Sequence, residues 1–147
     1  MNQVITISFS ALTENVKIAR VVLHTFLSFR GVFDKDIFDT ELAVSEALAN
    51  IIQHTYKGEP KCIVMTAIWV EPDTLEVLLR DFGPKVDVSK VKSRKLDDVR
   101  PGGLGVYIIR KIFDIMEFKD VQGGNLLYLR KSFLIPPKKP DMDVGEF

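Results

Sequence analysis

Residues 36–56 constrain the fold more than any other stretch. Val44, Ala47, Leu48, Ile51 and Ile52 cover most of the circumference of a helix, with Leu42, Ala43 and Ala49 flanking them. A polar seam of Asp39, Glu46, Asn50, Gln53 and His54 interrupts this apolar surface. At about 100° per residue these fall in one narrow stripe, with Glu46, Asn50 and His54 one turn apart in succession. A helix that is apolar nearly all round has to be buried on several sides, so the rest of the chain must be layered around it. The polar seam then has two readings. It faces solvent, the common fate of charged side chains, or it lines a wet cavity where a carboxylate and an amide find partners. In the second case Glu46 can serve as a general base and Asn50 as an oxygen ligand for a hard metal.

The flanking sequence supplies the layers. Val4–Phe9 is β-rich and predicts a strand. Val16, Ala19, Val22, Leu23, Phe26 and Leu27 recur at helical spacing and predict a helix from about Leu12 to Arg30, ended by Gly31. The seamed helix spans about Asp36 to Tyr56, closed by Gly58 and Pro60. Cys62–Val70 and Thr74–Arg80 are β-rich runs joined by Glu71-Pro72-Asp73, a hairpin signal. Residues 83–102 turn polar and aperiodic, and a loop of that length is functional or disordered. A helix Leu104–Phe113, a strand near Met116–Val121, a Gly123-Gly124-Asn125 turn and a strand Leu126–Phe133 complete the order. That order predicts an α+β fold, a two-layer α/β sandwich whose mixed, mostly antiparallel sheet carries its helices on one face. The expected domain is 1–134, with a disordered tail over 135–147.

Composition limits what such a domain can do. At 147 residues the chain is one domain long. Lys and Arg together number 20, as do Asp and Glu, so bulk charge favours neither direct nucleic-acid binding nor an anionic membrane. The single cysteine, Cys62, excludes an internal disulfide or a multi-cysteine metal site and, lying in an apolar run, is expected to be buried. No apolar run reaches the roughly 20 residues of a membrane span. The first ten residues lack the basic and long apolar regions of a signal peptide, so a cytoplasmic location is expected. Trp69 and the ten phenylalanines are expected in the core. His24 reads as an ordinary helix residue.

Two glycine runs carry further information. Asp81-Phe82-Gly83 follows a strand and opens the basic loop. It is not the Asp-Phe-Gly of eukaryotic-type protein kinases, because no His-Arg-Asp loop or glycine-rich loop accompanies it. Pro101-Gly102-Gly103-Leu104-Gly105-Val106 leads into an apolar helix, where bare backbone N–H groups can cradle phosphate oxygens. A flexible hinge is the alternative. The spacing fits neither the dinucleotide fingerprint nor a Walker A loop.

In order and spacing, Glu46-Ala-Leu-Ala-Asn50, Asp81-Phe82-Gly83 and Gly103-Leu104-Gly105 resemble the N box and the two glycine boxes of the GHKL ATPases, which share the Bergerat ATP-binding fold. Ser45–Tyr56, with its histidine and tyrosine after the N box, is especially similar to the anti-sigma-factor serine/threonine protein kinases. The resemblance covers about residues 4–133. It implies ATP and Mg²⁺ as cofactors, with Glu46 as general base and Asn50 on the metal. Asp81 would accept from the adenine amino group, and Gly83 would let the base approach. Gly103 and Gly105 would contact phosphates at the helix start, with Gly102 and Leu104 completing that run. Lys85–Arg100 would form the ATP lid, and Arg100 would reach the γ-phosphate. Asn125 would complete the adenine site where the family usually has threonine. The implied partners are a sigma factor, an anti-sigma-factor antagonist protein that is phosphorylated, and a second copy in a homodimer. Two other functions fit the same motifs: a nucleotide-gated binding module without phosphate transfer, and a detached histidine-kinase catalytic domain. The lack of a phospho-acceptor helix argues against the second.

Overall fold

The computed structural model describes residues 2–89 and 103–136. Strand β1 (Gln3–Ser10) is followed by helices α1 (Thr13–Ser28) and α2 (Asp34–Asn50), then by the hairpin β2 (Cys62–Val70) and β3 (Thr74–Asp81). Helix α3 (Gly103–Ile112) leads to β4 (Ile115–Lys119) and β5 (Asn125–Ser132). Every element expected from periodicity is present, with ends shifted by a few residues. Arg100, Gly102, most of the expected lid and residues 137–147 lie outside the described residues.

The strands form one sheet in the order β1-β2-β3-β5-β4. The sheet goes further than mostly antiparallel, since every pairing among the described residues is antiparallel. The reason is that β4 takes the edge and pairs only with β5, so the direction it shares with β3 never becomes a parallel ladder.

Alternation of side chains places one row of each strand against the helices. β2 buries Ile63, Met65, Ala67 and Trp69; β3 buries Leu75, Val77 and Leu79; β5 buries Leu127 and Leu129. Leu23 and Leu27 of α1, Val44 and Leu48 of α2, and Ile109 of α3 meet these rows with no exposed surface. Each large apolar side chain so buried contributes about 1.5–3 kcal/mol. The rows do not stop at the apolar residues. Asp81 and Asn125 are the next inward positions at the ends of β3 and β5, and they face each other directly in the register. The pattern that builds the core therefore delivers a polar pair to its edge.

Helix α2 lies between α1 and α3 and over the sheet, which explains its nearly complete apolar coat. It also buries two polar residues that periodicity does not foresee, Thr40 and Glu41. Thr40 Oγ1 donates to the Asp36 carbonyl at 2.7 Å. Glu41 meets His24 Nδ1 at 2.7 Å and lies 3.9 Å from an Arg20 guanidinium nitrogen. His24 is thus the partner of a buried carboxylate rather than an ordinary helix residue. Two further expectations are corrected. Cys62 is exposed, because it begins β2 before the buried alternation starts. Phe29, Phe33, Phe38 and Phe82 are exposed as well, while Trp69 is buried and stacks on Phe133.

Past Asn50 the helix continues as one π-helical turn, Ile51–Thr55, closed by a bond from the Tyr56 N–H to the Ile51 carbonyl at 2.8 Å. Such turns widen a helix by one residue and recur at functional sites. This one lies where α2 reaches the polar end of the sheet.

Candidate functional site

A cavity of about 480 Å³ opens where the end of α2, the first turns of α3 and the Asp81–Asn125 end of the sheet converge. That is within the size range of small-ligand sites. Its walls are mainly apolar, from Ala47, Ile51, Val106, Ile109, Met116, Phe118 and Leu127. Convergent polar groups come from Asn50, His54, Thr55, Asp81 and Asn125, with Lys57, Lys85 and Asp87 near the rim.

Asp81 is the most buried of these, at 2% exposure. Its Oδ1 accepts from the Gly83 N–H at 3.0 Å and from Asn125 Nδ2 at 2.9 Å. The segment that follows is gripped from the helical side too. Tyr56, also buried, accepts the Phe82 N–H on its hydroxyl at 2.8 Å and donates that hydroxyl to the Cys62 carbonyl. Burial pushes the Tyr56 phenol above its ordinary value, with the bond from Phe82 opposing and the Asp81 charge adding to the rise. Gly83 packs on Thr55 and the Tyr56 ring so closely that a β-carbon would lie 2.5 Å from Thr55 Cγ2. Gly124, at φ +91°, passes over the Asp81 peptide, and a β-carbon there would collide with the Asp81 carbonyl oxygen.

The other end of the cavity is built from α2 and α3. Asn50 lines it, half-buried. Glu46, one turn earlier on the same face, stands at the start of α3. A β-carbon on Gly105 would come within 2.8 Å of Glu46 Oε2, so the carboxylate lies directly against the first turn of α3. Gly103 begins α3 and Leu104 follows it, so the second glycine run does open a helix, and Gly105 in its first turn lies against Glu46. Among the described residues no group of three or more His, Cys, Asp or Glu forms a metal cluster. A hard cation held by Asn50 would need its remaining oxygens from a ligand's phosphates and from water, which is the usual way Mg²⁺ is bound.

The structure brings Asn50, Asp81 and Asn125 together around one cavity; Gly83 does not line it but packs on Thr55 and Tyr56, and Glu46 and Gly105 stand against each other beside it. Arg100 and Gly102 lie outside the described residues. Sequence reasoning gave no role to Tyr56 or to the Met116 and Phe118 walls. Tyr56 carried a signal, its place directly after the seamed helix. Met116 and Phe118 carried none beyond the alternation of an edge strand.

Known proteins give the family. The family described as the histidine kinase-like ATPase domain matches residues 9–131. The serine-protein kinase RsbW of Bacillus velezensis is 33% identical over 118 residues, covering 75% of this chain and 74% of that protein. RsbW of Bacillus subtilis is 31% identical over the same length and shares. The anti-sigma F factor of Geobacillus stearothermophilus is 26% identical over 132 residues, 86% of this chain and 90% of that protein. In fold, the chain resembles the RsbU and RsbW domains of a Mycobacterium tuberculosis protein, with a TM-score of 0.64 at 16% identity, over 89% of this chain and 32% of that one. It also resembles the SiaB–SiaC complex of Pseudomonas aeruginosa, with a TM-score of 0.61 at 15% identity and 86% of each chain covered. On these matches, the chain belongs to the histidine kinase-like ATPase domain family and, within it, to the serine-protein kinases of the RsbW type.

Proposed function

We propose that this cavity binds Mg·ATP and that the chain transfers the γ-phosphate to a serine or threonine hydroxyl of an anti-sigma-factor antagonist. The same chain would hold a sigma factor and switch between the two partners. The carrying observation is the buried Asp81 carboxylate on the cavity floor, with the Glu46–Gly105 contact at the opposite end. A buried carboxylate that lines a ligand-sized cavity is matched by a ligand N–H, and the exocyclic amine of adenine supplies one.

Each residue then has a task. Asp81 accepts the base amine, and the apolar walls cover the ring faces. Asn50 holds the metal, which when bound neutralises phosphate charge. The N–H groups at the start of α3 receive phosphate oxygens. Phosphoryl transfer is mostly positioning and charge stabilisation, so little covalent chemistry falls to the protein. Glu46 takes the proton of the attacking hydroxyl as its oxygen bonds to phosphorus and the bond to ADP breaks. Arg100 would add positive charge at the γ-phosphate.

The partners follow from the relatives, which carry the names serine-protein kinase and anti-sigma F factor. A homodimer is part of the same reading, and light scattering at working concentration should give twice the 16.7 kDa chain mass. No described helix is long and apolar enough to cross a membrane, and we place the protein in the cytoplasm. Calorimetry should show Mg·ADP binding, and labelled ATP should pass phosphate to a purified antagonist. Binding without any transfer would favour a nucleotide-gated module; no binding at millimolar nucleotide would overturn the reading.

A further inference from the structure

Asn125 stands where the resembling kinases usually carry threonine, and its amide is fully committed. Nδ2 donates both hydrogens, one to Asp81 Oδ1 at 2.9 Å and one to the Pro84 carbonyl at 2.8 Å. Oδ1 accepts the Val86 N–H at 2.8 Å. A backbone N–H can only donate and a carbonyl can only accept, so these partners dictate which end of the amide is nitrogen. The residue is 6% exposed. With both donors spent inside the protein, Asn125 has no hydrogen left for a bound base.

The consequence for Asp81 is geometric. The χ2 torsion of an aspartate is broad and roughly two-fold, so a carboxylate held by one bond can pivot. Here Oδ1 is held by two donors, the Gly83 N–H and Asn125 Nδ2. That fixes the plane and leaves Oδ2 as the acceptor available to a ligand. The same amide ties residues 84–86, part of the cavity wall, to the end of β5.

We propose that Asn125 is the positioning residue of base recognition, fixing the Asp81 carboxylate and clasping residues 84–86 without touching the base. This rests on the nucleotide reading above and deepens it. Purine selectivity is then set by a residue that makes no contact with the purine. The two halves of the role can be separated by chemistry. Threonine has one hydroxyl hydrogen, enough for Asp81 or for Pro84 but not for both. Aspartate has the shape of asparagine and no amide hydrogens, so it loses both donations and faces Asp81 with a like charge.

The test uses the full chain and two probes, Mg·ADP and the diphosphate of purine riboside, which lacks the 6-amino group. The ratio of their dissociation constants cancels any general loss of folded protein. Wild type should prefer ADP by about 10-fold or more, the range expected for one hydrogen bond to a charged group. Asn125→Asp should reduce that preference to roughly 2-fold. Asn125→Thr, the variant expected to fold most readily, should keep the preference while weakening both probes by about 5-fold, from the lost clasp. A wild-type preference in Asn125→Asp would overturn the positioning of Asp81. Wild-type affinities in Asn125→Thr would overturn the clasp. A wild-type chain that binds neither probe would remove the nucleotide reading itself, and the proposal with it.

Discussion

The two ends of the cavity are built in opposite ways. At the proposed base end, Asp81, Asn125 and Tyr56 are buried, and each side chain is tied by hydrogen bonds to the backbone around it. At the proposed phosphate end Glu46 and Asn50 are half-buried, and among the described residues no hydrogen bond holds either side chain. The difference matches the two tasks. A group that recognises a rigid ring works best when fixed in advance, because ordering it on binding would cost affinity. Groups that meet a metal, a phosphate and an attacking hydroxyl must keep their lone pairs for those ligands. On the proposed nucleotide reading, binding strength would belong mainly to the Asp81 end and chemistry to the Glu46 end.

The largest effect should come from breaking the base end structurally. Gly124→Ala puts a methyl group into the Asp81 peptide at a backbone angle that L residues avoid. A loss of about 3 kcal/mol in unfolding stability is expected in denaturant titrations without nucleotide. Unchanged stability would mean that this crossing is looser than the geometry requires. Asp81→Asn should come next, leaving the fold intact and weakening Mg·ADP by roughly 10- to 100-fold in calorimetry. Wild-type affinity there would remove the base end from recognition altogether.

Tyr56→Phe should have the smallest effect. It removes one hydroxyl that bridges Phe82 and Cys62 and should cost about 1 kcal/mol. The pH dependence gives it a signature. The folded-state phenol titrates above its ordinary value of 10.0, so folding favours the neutral form. Its contribution is fully present below pH 10.0 and is lost as pH rises through the raised value. Wild-type stability should therefore fall more steeply than that of Tyr56→Phe in alkaline unfolding curves. Parallel curves would mean that the hydroxyl is not held as described.

How much of this could be read in the sequence depends on the range of the interaction. Element order was legible because periodicity is local: the stripe of α2 and the alternation of β2 and β3 state their own faces. The seam at Glu46 and Asn50 was legible for the same reason, whereas the placement of the glycine runs near it came only from the family resemblance. What was hidden is pairing between distant residues. Nothing near Glu41 in the sequence shows that α2 turns it inward against His24 of another helix. The meeting of Asp81 with Asn125 depends on a strand register set 44 residues away, and so does the saturation of the Asn125 amide. The π-helical turn after Asn50 was read as a plain continuation of the helix, since one extra residue in a turn leaves the apolar pattern almost unchanged.

The central claim is that the phosphate end does chemistry, and Glu46→Gln tests it most directly. Glutamine keeps the size and hydrogen bonding of glutamate but cannot take a proton at neutral pH. With labelled ATP and a purified antagonist in single-turnover conditions, the variant should bind nucleotide like wild type and transfer phosphate about 10²–10⁴-fold more slowly. Transfer at the wild-type rate would contradict the assignment of Glu46 as the base and, with it, the division of labour between the two ends of the cavity.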